Sequence, residues 1–349
     1  MPFRLFLLLA SCGHRPPTTA ELKAPPSLPA PQSRIFARTA GTPSDPAVAR
    51  LVGEVRWDVA LAGAAGGLGV EASVGISTYQ PWEIREAAWR AGYPVPVRQV
   101  RAWTTPKGGP PPAELLAWLE TVDETTDVGL VRARSPESDA WVALAAKPRV
   151  SLPPFPREGR VGTELRFPAQ PGFRVVWSDP VGGLGEATLD AERVIGLHTM
   201  GCWLLDVRDD QGIAARFPVW AGMAPPDVRL YELPGLPSDP LARAEALLAE
   251  FRATSDRPGW TADPTLDLIA ARGLTEPTAQ LASTLTKLGY DAEKTGSWTC
   301  DAPSLEECLD EVLWRPESRR VVLAPQRLTG LAYEAHDGGV RLFGLVAPE

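Results

Sequence analysis

Residues 281–300, LASTLTKLGYDAEKTGSWTC, then an acidic helix, then residues 328–347, LTGLAYEAHDGGVRLFGLVA, decide how this chain is read, because an earlier stretch is a worn copy of them. The earlier copy runs IREAAWRAGYPVPVRQVRAWTT over residues 84–105, AELLAWLETV over 113–122 and DVGLVRARSPESDAWVALAA over 127–146. In each copy a helix ends at a Gly-Tyr pair, Gly92-Tyr93 or Gly289-Tyr290, and a Trp-Thr pair follows, Trp103-Thr104 or Trp298-Thr299. A second amphipathic helix comes next, then a Gly-Leu strand and a hairpin. Order, spacing and residue type repeat together, which marks an internal duplication.

Working outward, the 349 residues are 44% hydrophobic and 22% charged, the composition of a folded chain of two or three domains. A formal net charge of -8 without clustered Lys and Arg argues against nucleic acid as a partner. The 37 prolines and 31 glycines favour turns and short strands over long helices, and most of the 12 tryptophans are expected in cores.

In the early copy, Asp45 and Pro46 open a helix as cap and first helical residue, a Gly/Ala-rich stretch covers residues 62–69, and helices are expected over 82–91 and 113–122. Strands over 128–133 and 140–146 are joined by a turn-rich loop. Between the copies, six short strands are expected in residues 163–220, separated by Pro-Gly, Gly-Gly and Asp-Asp-Gln-Gly turns, which suggests an immunoglobulin-like β-sandwich. His198 and Cys202, four apart, would share one face of a strand; with no further ligand nearby, they are read as a core cysteine beside a partly exposed histidine. In the late copy, Asp239-Pro240 caps a helix over 241–253. Arg315, Arg319 and Arg320 set against Glu306, Glu307, Asp310 and Glu311 read as a solvated charged face. Cys300 and Cys308 are read as a disulfide, with two unrelated thiols as the alternative.

The chain opens MPFRLFLLLASC: Arg4, an apolar run over residues 5–10, and Leu9-Ala10-Ser11-Cys12. These are the parts of a secretory signal, and the run is far below the ~20 residues that span a bilayer. The tetrapeptide resembles the lipobox of bacterial lipoproteins. That resemblance implies cleavage before Cys12, acylation of Cys12 as a membrane anchor, and, with Gly13 after it, sorting to the outer membrane. Six prolines among small polar residues follow, so residues 12–33 form a tether.

Asp263-Pro-Thr-Leu-Asp-Leu-Ile-Ala-Ala-Arg272, Trp314-Arg-Pro-Glu-Ser-Arg-Arg-Val-Val-Leu323, Thr329-Gly-Leu-Ala-Tyr333 and the closing strand resemble, in order, the CAP superfamily of cysteine-rich secretory proteins. The resemblance implies an α-β-α sandwich. The family's two metal-binding histidines fall on Gly273 and Ser318, neither of which supplies an imidazole, so activity that depends on that metal is not expected. The expected organisation is α+β: signal peptide 1–11, tether 12–33, a degenerate CAP-like module 34–150, a β-sandwich 151–226 and a CAP-like module 227–349. The function expected is a non-enzymatic binding or scaffolding lipoprotein of the outer membrane with a protein partner in the envelope, no catalytic or metal residues and no cofactor. The alternatives are an envelope hydrolase using carboxylates or Ser318 near Asp263 and Glu317, and a carrier of an apolar ligand.

Overall fold

The computed structural model describes residues 34–349 apart from 54, 73–77 and 227–229, and, for 278 and 279, the backbone alone. The expected signal peptide, the expected anchor at Cys12 and the expected tether all lie outside the described residues. Elements follow in chain order as β1 (Ile35–Phe36), α1 (Pro46–Val52), β2 (Arg56–Trp57), α2 (Val59–Ala72), α3 (Pro81–Ala91), β3 (Gln99–Pro106), α4 (Ala113–Glu120), β4 (Asp127–Arg134) and β5 (Ser138–Ala146). The middle of the chain holds β6 (Phe155–Pro156), β7 (Glu158–Gly159), β8 (Glu164–Phe167), β9 (Arg174–Ser178), β10 (Leu184–Thr188), β11 (Arg193–Gly196), β12 (Gly201–Asp209) and β13 (Gly212–Ala221). The last third holds α5 (Pro240–Ala253), β14 (Thr261–Ala262), α6 (Pro264–Gly273), α7 (Thr278–Lys287), β15 (Gly296–Ala302), α8 (Leu305–Leu313), α9 (Pro316–Leu323), β16 (Leu328–His336) and β17 (Gly339–Ala347). The chain is thus α+β. Among the described residues no helix is long and apolar enough to cross a membrane.

The duplication is plain in the sheets. Early strands are ordered β2-β4-β5-β3 and late strands β14-β16-β17-β15, with the first pair parallel and the others antiparallel in both. Period-two alternation sends Val128, Leu130, Trp141 and Ala143 to one face, where α1 and α4 pack, and Val142 and Leu144 to the other, where α2 packs. In the late copy Leu331, Leu342 and Trp298 meet α5, α8 and α9, while Ala332, Phe343 and Leu345 meet α6 and α7. Each copy is therefore helices, sheet and helices in three layers. The helix before each Gly-Tyr pair ends with glycine in the left-handed region, φ 84° at Gly92 and 89° at Gly289, which only glycine enters without cost.

Register corrects one equivalence. Gly129 pairs with Leu144 and Gly330 with Leu345, which aligns the two hairpins; Arg101 then pairs with Ala143 where Trp298 pairs with the equivalent Gly344. Trp298 thus matches Arg101, and Trp103 matches Cys300. The Trp-Thr pairs are offset by two residues. An even offset keeps both tryptophans on the same face of the sheet, which is why the sequence tolerates it.

The Gly/Ala stretch at 62–69 is the body of α2, a helix the sequence did not announce. Its apolar moment is weak because Ala and Gly surround it, and the small residues are needed for close packing: a Cβ on Gly69 would stand 3.2 Å from Ala133 and one on Gly63 3.3 Å from Ala91.

All six expected central strands form. β10-β9-β12-β13-β7 and the β11-β8 pair share one core of Phe167, Val175, Ile195, Leu205, Val207 and Phe217. β1 pairs with β6, and Phe36, 1% exposed, sits in this core against Phe217, ring centroids 5.2 Å apart. Cys202 is buried, but His198 lies in the loop before β12, exposed, so the two do not share a strand face.

Candidate functional site at the junction of three units

One helix contributes to three cores. α3 is set by Pro81 in its first turn and by Glu83, whose carboxylate accepts from the Gln80 amide at 2.6 Å. Its Ala87 and Ala88 belong to the early core, its Trp82 to the late core, and its Trp89 to the core of the middle unit. Trp82, Arg85 and Trp89 stand at i, i+3 and i+7, one stripe of a helix, while the alanines occupy the opposite side. Trp82 meets Tyr231 at 5.0 Å, and the Trp89 indole donates to the Arg216 carbonyl at 2.7 Å. The three units are thereby packed into one body.

A cavity of about 410 Å³ opens at this junction. Trp89, Trp220, Tyr231, Phe251 and Trp314 wall it, with Cys202 at one side. Trp314 stands edge-on to both Trp89, at 5.0 Å, and Phe251, at 5.9 Å. The Arg85 guanidinium lies over Trp89 at 4.6 Å and Trp314 at 5.4 Å and is paired with Asp310. Burial pulls its pKa down to about 10, which leaves it charged at neutral pH. The Cys202 thiol is pushed up by burial, against the opposing pull of the Arg319 guanidinium, and Sγ faces the Trp203 carbonyl at 3.9 Å. A buried, protonated thiol is a poor nucleophile, and the aromatic walls suit an apolar or aromatic molecule, with Glu86, Arg90, Arg157 and Glu250 also in the lining.

The charged run of the late module is a solvated face only in part: Arg315 and Arg320 are exposed, Arg315 pairing with Glu311, while Arg319 and Asp310 are turned inward. Arg319 is 0% exposed and donates to the Cys202 carbonyl at 2.8 Å, and Asp310 takes both Arg85 and the Tyr231 hydroxyl. Glu317 pairs with Arg208 of β12. For Arg319 and Asp310 the charges that read as solvent-facing form an interface, and their partners come from other units too distant in sequence to be foreseen.

The remaining sequence-derived positions are not brought together. Gly273 ends α6 against the Phe343 ring, where a Cβ would stand 2.6 Å away; Ser318 begins α9 on the other face of the sheet. The Ser318 hydroxyl donates to the carbonyls of Val312 at 2.8 Å and Arg315 at 3.3 Å. Asp263 caps α6 and accepts from the Tyr290 hydroxyl at 2.8 Å, far from that serine's face. Among the described residues no group of three His, Cys, Asp or Glu side chains is placed to hold a metal ion. Cys300 and Cys308 form the disulfide, Cα atoms 5.4 Å apart, joining β15 to α8.

A second polar cluster belongs to the early copy. Asp127, 1% exposed, receives Arg38 at 2.6 Å, Arg56 at 2.7 Å and the Tyr93 hydroxyl at 2.8 Å. Asp58 accepts from the amides of Thr39 at 2.6 Å and Leu61 at 2.9 Å, and burial, aided by the nearby Asp127 charge, pushes its carboxyl up to about 6. In the late copy Leu328 replaces Asp127, and Tyr290 turns to Asp263, the counterpart of Asp58. The early cluster clasps residues 37–41 to the module and is satisfied internally.

The cavity residues Arg85, Trp89, Phe251 and Trp314 were missed from sequence. The one signal available was the Trp82-Arg85-Trp89 stripe, opposite the alanines, on a helix too short to need two large aromatics for its own core. Compared with family models, with curated proteins and with solved structures, the chain matches none.

Proposed function

We propose that this chain is a non-enzymatic binding module of the bacterial cell envelope that holds an apolar ligand in the cavity between its three units. In this reading the two three-layer copies are CAP-like modules without the family's metal pair, the central unit is an immunoglobulin-like sandwich, and Cys12 is the acyl anchor in the outer membrane. The observation that carries it is the 410 Å³ aromatic-walled space on which all three units converge. Cavities of this size and lining at domain junctions are ordinary small-molecule sites, and the side chains around this one bind rather than react.

The test uses the mature chain purified from its own envelope. Extraction is expected to release a stoichiometric apolar molecule. Anilinonaphthalene sulfonate is expected to bind the emptied protein saturably, to quench tryptophan emission, and to slow maleimide labelling of Cys202. Ala224 also lines the cavity, and a cavity-filling Ala224→Trp variant should lose the dye. Absence of both a co-extracted apolar molecule and saturable dye binding would refute the reading.

A further inference from the structure

Superposing the copies by strand register exposes a difference at one end of the sheet. In the late copy the chain leaves α8, forms α9, and then enters β16; α9 packs over the start of β15, where a Cβ on Gly296 would stand 2.7 Å from Val321. In the early copy Gln99 occupies the position of Gly296, because Gln99 pairs with Ala145 as Gly296 pairs with the equivalent Val346. There the chain passes from α4 to β4 through the turn at residues 121–126, with no helix between. The space that α9 fills in one copy is left open in the other, as a cleft of about 350 Å³ separate from the aromatic cavity.

The lining of this cleft has changed with its opening. Where the late copy packs Val321 against Gly296, the early one presents Arg98, Lys147 and Arg149 around Gln99, Thr121 and Gln211. Asp123 is the acidic residue of the lining, and it is held by its own turn, accepting from the Thr125 and Thr126 hydroxyls at 2.7 Å each. Lys147 meets Asp123 at 2.9 Å with both side chains at least half exposed, an ion pair weak enough to exchange. Arg149 is fixed by Asp209 and by the Ile213 carbonyl at 2.9 Å, which makes it a rigid wall. In a chain of net charge -8 this is a local reversal of sign. Gln99 accepts from the Trp118 indole at 2.9 Å, Gln211 accepts from Arg149 at 3.2 Å, and the Thr121 hydroxyl donates to the Trp118 carbonyl at 2.7 Å, which leaves two amide NH2 donors and a hydroxyl acceptor for a ligand. Set among cations, they match a ligand that is both hydroxylated and anionic, and they exclude the apolar face of a helix such as α9.

We infer that the early-copy cleft binds an acidic saccharide, its carboxylate or phosphate met by Arg98 and Lys147 and its hydroxyls by Gln99, Thr121 and Gln211. Calorimetric titration of the full chain with glucuronic acid, galacturonic acid, N-acetylmuramic acid and a hexose phosphate tests it, with glucose and inorganic phosphate as controls. At least one acidic sugar is expected to bind more tightly than either control, and to weaken as salt is raised. Arg98→Gln should reduce that affinity by about tenfold and Arg98→Glu by more, with unchanged melting temperatures because the side chain is exposed. Failure of every acidic sugar to bind, binding of inorganic phosphate or glucose as tight as theirs, or unaltered affinity in both Arg98 variants would overturn the assignment. None of these outcomes depends on the aromatic cavity.

Discussion

Gly330 lies against the backbone of Leu266: a Cβ built on it would stand 2.2 Å from the Leu266 carbonyl carbon. Gly129 repeats the relationship with Leu61, at 2.3 Å. In both copies the leucine is the third residue after the aspartate that caps the helix, Asp263 or Asp58, so the cap and the glycine together fix how closely helix and sheet approach. Gly330→Ala is expected to destabilise the protein by about 3 kcal/mol, the upper end of overpacking costs, because main chain cannot yield as a side chain can. Gly259→Ala, with nothing within 4 Å, should change stability by less than about 0.5 kcal/mol. Urea denaturation of the two variants checks the contrast.

Removing the tryptophan that α3 places in the late core should uncouple the units. Trp82 is 6% exposed and lies against Tyr231. Trp82→Ala is expected to cost about 3–5 kcal/mol and to split a single thermal transition into two, visible by calorimetry. A variant that melts as sharply as the wild type, at the same temperature, would show that the junction is not held by this contact.

Reduction of the Cys300–Cys308 bridge should lower stability without abolishing folding. The closed loop is short, with a sequence separation of 8, and loop-closure entropy gives about 2–3 kcal/mol for it. The Cys300→Ala, Cys308→Ala double variant should show this loss in urea and become insensitive to dithiothreitol.

Asp58 predicts an unusual pH dependence. Its folded pKa, about 6, lies above the ordinary value of 3.8, because burial disfavours the carboxylate. A raised folded pKa means that the folded state takes up the proton more readily than the unfolded chain. The contribution to stability is therefore complete below the ordinary value and is lost as pH rises through about 6. Asp58→Asn keeps a capping side chain at α2 but cannot titrate. The wild type should gain on the order of 2–3 kcal/mol relative to this variant between neutral pH and pH 4, measured by urea denaturation across that range. A stability difference that does not vary with pH would refute the assignment.

How much of this was legible in the sequence depended on how local the cause was. The duplicated order of elements, the six central strands and the Cys300–Cys308 bridge all rest on short-range periodicity, turn chemistry or close spacing, and each is where the residues indicated. α2 escaped notice because its packing face is made of Ala and Gly, whose helical signal is weak even though their smallness brings the helix onto β4. The offset between Trp103 and Trp298 escaped because two residues along a strand change neither face nor character. Arg319 and Asp310 looked solvent-facing since their partners, Cys202 and Arg85, lie more than a hundred residues away. The aromatic cavity, formed by side chains from three units, left one local sign, the Trp82-Arg85-Trp89 stripe of α3.

α3 also limits how this chain can have been inherited. A duplicated domain ordinarily remains a separable cassette, free to be lost, copied again or recombined into other genes. Here a helix of the first copy supplies Trp82 to the interior of the second and Trp89 to the interior of what lies between them. A recombination breakpoint on either side of residues 151–226 would leave each fragment with an exposed aromatic hole or an exposed aromatic plug. The three units should therefore travel through descent as one indivisible block, and a relative that carries the late copy alone should have something else in the place of Trp82.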